Sequence, residues 1–253
     1  MNSTAKSPTD GMPLHREVTL LRRDPSGLYA FDKAAGVLSH PNSRADEERA
    51  LLTCTYDLEG QFYKWDDAGR TRRLWLLNRL DSATSGVILL ADNQVLADLI
   101  REGFRQKHVH KVYQALVFGT PSVPTQVWRD RLAIEKKGGQ VRTSAAGNIL
   151  SECSMKLLGR RAGAQVVSLL RLEPRTGRSH QLRVQCAKRH VPIVGDATYG
   201  DFGANRIFSK TQGTKRLFLH SLETSFDYEY EGKTQHFSVK APLPEEFTQI
   251  LGK

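Results

Sequence analysis

Two short runs constrain the fold more than any other feature of the chain: GVILLA at 86–91 and KVYQALVFG at 111–119. The first is apolar throughout. In the second, Tyr113, Ala115 and Val117 fall on one face of a strand, and Val112, Leu116 and Phe118 on the other. A strand with one apolar face can lie at a surface, but a strand apolar on both faces must be covered on both. Neither run approaches the roughly 20 residues needed to cross a bilayer. They predict central strands of a layered domain with helices packed over them.

The flanking segments extend that reading. LYAF (28–31) predicts a strand leading into Asp32-Lys33 and a turn at Gly36. After the 86–91 strand, Asp92 or Asn93 caps a helix whose Val95, Leu96, Leu99, Ile100 and Phe104 share one face, with Arg101 and Arg105 turned outward. QVVSLLRLE (165–173) is another strand, ended by Pro174-Arg175-Thr176-Gly177. Ser179 then caps a helix reaching residue 190, with Leu182, Cys186 and His190 turned inward. The C-terminal third reads as two strands, a turn at 231–233, a third strand and a short helix at 245–251. Strands joined by hairpins dominate, which predicts an α+β fold with a mixed, mostly antiparallel central sheet flanked by helices. With no repeat and no linker, the simplest division is a flexible tail over residues 1–24 and one domain over residues 25–253.

Charge and cysteine content narrow the partners. Lys and Arg exceed Asp and Glu by 37 − 27 = 10, which favours a polyanion. The excess is concentrated: Arg171, Arg175, Arg178, Arg183, Lys188 and Arg189 stand against Glu173 alone, and a second basic stretch, Arg129 to Arg142, surrounds an expected hairpin tip at Gly138-Gly139. Clustered cations of this kind suit phosphate contacts, although a solvated basic face has the same composition. Cys54, Cys153 and Cys186 are odd in number and form no CxxC or CxxH pair, so neither disulfides nor a structural metal site is expected. The first fifteen residues are polar and lack the apolar middle of a signal peptide, so the expectation is a cytoplasmic protein with no membrane partner.

NRLDSATSG (78–86) raises the chemical question. Arg79 and Asp81, two positions apart on an extended segment, point to the same side, and Asp81 can cap a turn through the amides of Thr84 and Ser85. Tyr113 inside its apolar strand needs a partner for its hydroxyl, as any core tyrosine does. Arg183, between Leu182 and Val184, needs a carboxylate, because arginine is almost never buried unpaired.

Taken together, these segments resemble the RluA-type pseudouridine synthases. NRLDSATSG resembles the family's HRLDxxTSG signature, FDKAAGVLSHP (31–41) its DKPAGLxxHP block and KVYQALVFG its KxYxAxVxG block. RTGRSHQLRVQCAKRHVPIVGDATYG (175–200) resembles its TGRxHQIR block with the trailing GD and YG. The four blocks occur in the family's order, and RLFLHSLETSF and VKAPLPEEF match its closing pattern. The resemblance implies the pseudouridine synthase fold with an active-site cleft, and an isomerase of uridines in ribosomal or transfer RNA. It also implies no cofactor, no metal and no obligatory protein partner, hence a monomer.

Pseudouridine formation breaks the N1–C1′ bond, turns the freed base and joins C5 to C1′. By resemblance Asp81 is the carboxylate at the sugar, either as nucleophile or as the base that takes the 2′ proton. Arg183 is the arginine that pairs with it. Tyr113 is the tyrosine that stacks on the uracil and removes the C5 proton. Arg79 is the residue entering the space left by the flipped nucleotide. Thr84, Arg178, His180, Leu182 and Val184 complete the candidate substrate contacts, with core packing an equal alternative for Leu182 and Val184. Two positions depart from the family pattern: Asn78 stands where its histidine precedes RLD, and Ala34 where it has proline. Too few residues precede Leu28 for an accessory S4 RNA-binding domain, so the catalytic domain is expected to hold RNA itself. The rival readings are an RNA-binding module with weak or lost activity and a base N-glycosylase.

Overall fold

The computed structural model of the chain describes residues 11–137 and 140–252, so the expected hairpin tip at Gly138-Gly139 lies outside the described residues. The chain divides into two units, Met1–Val109 with Ser225–Ala241, and His110–Thr224 with Pro242–Lys253.

In the first unit, β1 (Val18–Arg23) pairs antiparallel with β2 (Leu28–Lys33). It lies inside the segment read as a tail. Its polar composition hid it, since Arg22 and Arg23 cover the rings of Phe237 and Tyr29 at 4.8 and 5.4 Å while Val18 is buried. Next come β3 (Thr55–Asp57), β4 (Phe62–Asp67) and β5 (Arg70–Leu76), an antiparallel meander. The predicted β6 (Ser85–Ala91) is buried at every residue and pairs antiparallel with both β2 and β5. Covering it at full depth is the fate its composition required.

Helix α1 (Gln94–Arg105) follows, with Asn93 as N-cap accepting the Leu96 amide at 2.8 Å. Its buried face is rotated from the expected one. Leu96, Ala97 and Ile100 are buried, whereas Val95 and Leu99 are exposed. Arg101 is not an outward residue: its guanidinium donates to the carbonyls of Leu76 and Gln61, at 2.8–3.1 Å, and so draws that side of the helix against the end of β5.

In the second unit β7 (His110–Phe118) is central, as its two apolar faces predicted. β8 (Thr125–Lys137) and β9 (Gln140–Arg161) pair along their length, with residues 145–148 looped out where the register jumps from Leu132↔Ile149 to Ala133↔Ser144. A Cβ at Gly147 would stand 2.2 Å from the Ala133 nitrogen, so the loop closes on the neighbouring backbone as only glycine can. β10 (Val167–Pro174) is antiparallel to both β7 and β9.

Helix α2 (Gln181–Lys188) is shorter than expected at both ends. His180 is in the left-handed region at φ +53°, which prevents a helical start at Ser179, and the Ser179 carbonyl instead accepts from the Thr143 hydroxyl. At the other end His190 has φ +58° and is exposed, so it does not turn inward. Helix α3 (Phe202–Gln212) had no apolar stripe to announce it: Phe208 is its one buried residue, and Phe202 and Ile207 are exposed. Its caps are legible in retrospect, Asp201 accepting the Ala204 amide and Gly213 at φ +70°.

The last strands are β11 (Leu219–Tyr230), one long strand where two were expected, and β12 (Lys233–Lys240). The turn between them is Glu231-Gly232, both at positive φ as a tight hairpin requires. Helix α4 (Glu245–Leu251) buries Phe247 and Ile250 in a cluster with Leu116, Phe118, Leu169 and Phe218. Strands with few helices and predominantly antiparallel pairing make this an α+β fold.

Candidate active site

Asp81 lies in the connection between β5 and β6, and the structure shows why that connection is rigid. Leu77 continues the ladder to Leu89 for one residue, and Asn78 then accepts the Leu89 amide on its side-chain oxygen at 2.8 Å. The residue that departs from the family pattern is therefore tied to β6. Leu80 is buried with both main-chain groups on one hydroxyl: Ser39 Oγ donates to its carbonyl at 2.7 Å and accepts its amide at 3.0 Å. The Asp81 carbonyl accepts the Thr84 amide at 2.9 Å, closing a tight turn.

The Ser82 carbonyl accepts from the Gly36 amide at 2.8 Å and from Lys33 Nζ at 3.0 Å. Lys33 is wholly buried, and its ammonium also donates to the carbonyls of Ala34 and Val37. These carbonyls help to make a buried ammonium tolerable. The block around Lys33 and Ser39 thus fastens the main chain on both sides of Asp81. Gly86, at φ +108°, opens β6 in a conformation that L side chains rarely adopt. In this loop Asp81 is half-buried, Arg79 exposed, and Thr84 and Ser85 buried.

Tyr113, Arg178, His180, Leu182, Arg183 and Val184 belong to the second unit. Tyr113 is half-buried on β7, opposite Leu172 of β10. Two residues earlier on the same strand face, burial pushes the Lys111 ammonium down to about 8. Its Nζ lies beside the Gly177 turn, 3.7 Å from where a Cβ there would stand.

Arg183 is buried and donates from Nε and Nη2 to the two oxygens of Asp196, both at 2.8 Å. The carboxylate on that edge of the guanidinium is one that the sequence reading did not pick. Asp196 also accepts the amides of Thr198 and Tyr199 on Oδ1. Burial alone would raise its carboxyl; the Arg183 guanidinium and these amides outweigh it and hold the group below its ordinary range. Tyr199 lies under the guanidinium at 5.1 Å, and its hydroxyl accepts from the Thr143 amide and bonds His180 Nδ1 at 2.8 Å.

The rest of α2 is secured at both ends. Thr176 Oγ accepts the Glu152 amide and donates to Gln181, which in turn donates to the Glu152 carbonyl. Gln185, Lys188 and Arg189 all donate to Asp130, at 2.8–2.9 Å. Burial pushes the Asp130 carboxyl up, but those three hydrogen bonds prevail and it lies below the usual range. Leu182 and Val184 are buried, and Arg178 is exposed where a phosphate can reach it.

Among the described residues no three His, Cys, Asp or Glu are grouped so as to hold a metal, and no helix is long and apolar enough to cross a membrane. All three cysteines are free thiols, and burial raises Cys54 and Cys153 to about 12. Sequence reasoning missed Lys33, Ser39 and Asp196. Lys33 and Asp196 lie inside two of the four motif blocks, as DK and GD, and that was the available signal.

Residues 27–188 match the family described as RNA pseudouridylate synthase. Over 237 residues, 89% of this chain and 93% of the relative, the chain is 31% identical to a tRNA pseudouridine synthase C of Haemophilus influenzae. It is 31% identical to that of Haemophilus ducreyi over 94% of this chain and 96% of the relative. A protein of Mycobacterium tuberculosis described as an uncharacterized RNA pseudouridine synthase is 28% identical over 98% of this chain and 76% of its own length. Among solved structures, human RNA pseudouridylate synthase domain containing 4 superposes with a TM-score of 0.66 at 22% identity, covering 92% of this chain and 91% of that one, which shows the fold. The chain belongs to the RNA pseudouridylate synthase family and is an isomerase acting on RNA.

Proposed function

We propose that this chain converts uridine to pseudouridine in transfer RNA, with Asp81 as the reacting carboxylate. The observation that carries the role of Asp81 is the anchoring of its loop. Ser39, Lys33, Gly36 and Asn78 bind main-chain groups on either side of the aspartate. A half-buried acid is thus held on a fixed backbone, as positioning for catalysis demands. Isomerisation is balanced without redox change: the N1–C1′ bond breaks, the C5–C1′ bond forms, and the C5 proton moves to N1 through a base and solvent. Attack on C1′ and removal of the 2′ proton both require Asp81 as a carboxylate. Arg183 supplies positive charge, and Tyr113 stacks on the uracil and takes the C5 proton. Transfer RNA is favoured by the Haemophilus relatives, which are named as tRNA pseudouridine synthases, and the excess of 10 positive charges suits a polyanion.

The test is incubation of the protein with unmodified transfer RNA transcripts and, separately, ribosomal RNA fragments, followed by mapping of carbodiimide-reactive uridines. Pseudouridine is expected in transfer RNA alone. Formation in ribosomal RNA alone would reassign the substrate, and formation in neither would defeat the reading.

A further inference from the structure

Three rings climb from the core of the first unit toward the Asp81 loop. Tyr63 is wholly buried and donates its hydroxyl to the Ser39 carbonyl at 2.8 Å. Tyr56 of β3 meets it edge-on, with centroids 4.8 Å apart and planes at 64°. His40 lies nearly parallel to Tyr56, at 5.0 Å and 13°. Tyr56 and His40 are both half-buried. Among the described residues Tyr56 is the one ring that His40 meets, and its Nδ1 is bonded to the neighbouring Pro41 carbonyl at 3.0 Å. The stack therefore ends at a partly open imidazole.

Its position is fixed relative to the loop. Ser39, the residue before His40, carries both main-chain groups of Leu80, and Leu80 stands between Arg79 and Asp81. The Arg79 and Arg101 guanidiniums act on the Tyr56 phenol, which burial nonetheless pushes up to about 12. A histidine serving the core would be covered, with its polar atoms satisfied inside. Here a half-buried flat ring is backed by a second ring on which two arginines act, and it follows directly on the Ser39 that anchors Leu80 next to Asp81.

An enzyme that takes one base out of a stack leaves the bases on either side without a stacking neighbour. An aromatic surface beside the site compensates for that loss, and it does so for any base, since every base has a π-face. We propose that the His40–Tyr56 pair is a stacking platform for the base of a nucleotide flanking the reacting uridine. The proposal rests on the uridine-isomerising reading of Asp81, and nothing else in that reading assigns His40 or Tyr56 a role.

The probe is a short unmodified RNA on which the wild-type chain forms pseudouridine, with 2-aminopurine placed singly on either side of the reacting uridine. Binding should quench the fluorescence at one flanking position. His40→Ala should abolish that quench and weaken binding about tenfold, while His40→Phe should retain both. An abasic nucleotide at the same position should weaken the wild type by a similar factor and weaken His40→Ala no further. Equal abasic penalties in wild type and His40→Ala would overturn the platform, as would unchanged quenching in His40→Ala. Wild-type protein with no quench and no abasic penalty at any flanking position would overturn it without any variant. If wild-type protein forms pseudouridine on no RNA at all, the isomerase reading fails first, and that outcome is distinct from all of these.

Discussion

The two units secure the segments that carry their motif residues differently. In the first, the Asp81 loop is fixed through its main chain by a hydroxyl, an amide side chain and a buried ammonium whose acceptors include three carbonyls. In the second, Arg183 is fixed by a buried carboxylate, and its helix by another, Asp130, that takes three donors. The difference follows from burial. Asp81 is half-buried in a loop whose main chain is secured by the Ser39 hydroxyl, the Asn78 side chain and the Lys33 ammonium. Arg183 is covered, and a covered guanidinium without a counter-charge is not tolerated.

Removing each charge while keeping its shape separates those roles. The largest effect on activity is expected from Asp81→Asn: pseudouridine formation should fall at least about a thousandfold, roughly 4 kcal/mol in barrier. Urea unfolding should stay within about 1 kcal/mol of wild type. Turnover within about tenfold of wild type would remove Asp81 from the chemistry and erase the contrast.

Asp196→Asn should behave the other way, costing about 3–5 kcal/mol of stability because Arg183 keeps its charge and loses its two charge-assisted bonds to the buried Asp196 carboxylate. Acid provides an independent check. The folded Asp196 carboxyl lies below its unfolded value, so its contribution is complete above that value and lost as pH falls through the folded one. Wild-type stability should therefore drop as pH falls below about 4, and Asp196→Asn should drop less steeply. Parallel acid curves for the two proteins would show that the pair contributes nothing.

The smallest effect is expected from Ser39→Ala, which strands the Leu80 amide and carbonyl and should cost about 1–3 kcal/mol. Because these bonds position the loop rather than react, kcat should fall while RNA affinity changes little. A pure stability loss with unaltered kcat at a temperature where both proteins are folded would make Ser39 structural only.

Much of this was legible in local pattern. The burial of β6 and β7 followed from runs apolar on every face, the cap of α1 from Asn93, and the order of motif blocks from residues read one by one. These are properties of neighbours in the chain, where periodicity of 2 or 3.6 residues reports burial directly. Patterns failed where a polar side chain completed an apolar face. Arg22 and Arg23 covering rings disguised β1, and Arg101 reaching the Leu76 carbonyl rotated α1. They failed again where a single backbone angle decided a boundary, as left-handed His180 does at the start of α2.

The sequence by itself determined that the chain is an α+β domain of pseudouridine-synthase type, and which aspartate, tyrosine and arginine carry the motifs. Only the tertiary structure decided what holds two of them. Ser39 reaches Leu80 across 41 positions and Lys33 reaches Ser82 across 49, and Asp196 meets Arg183 from the far side of a loop. A buried polar group requires a partner, but its identity depends on which residues folding brings within about 3 Å. Residue type alone leaves many candidates open, and packing selects one.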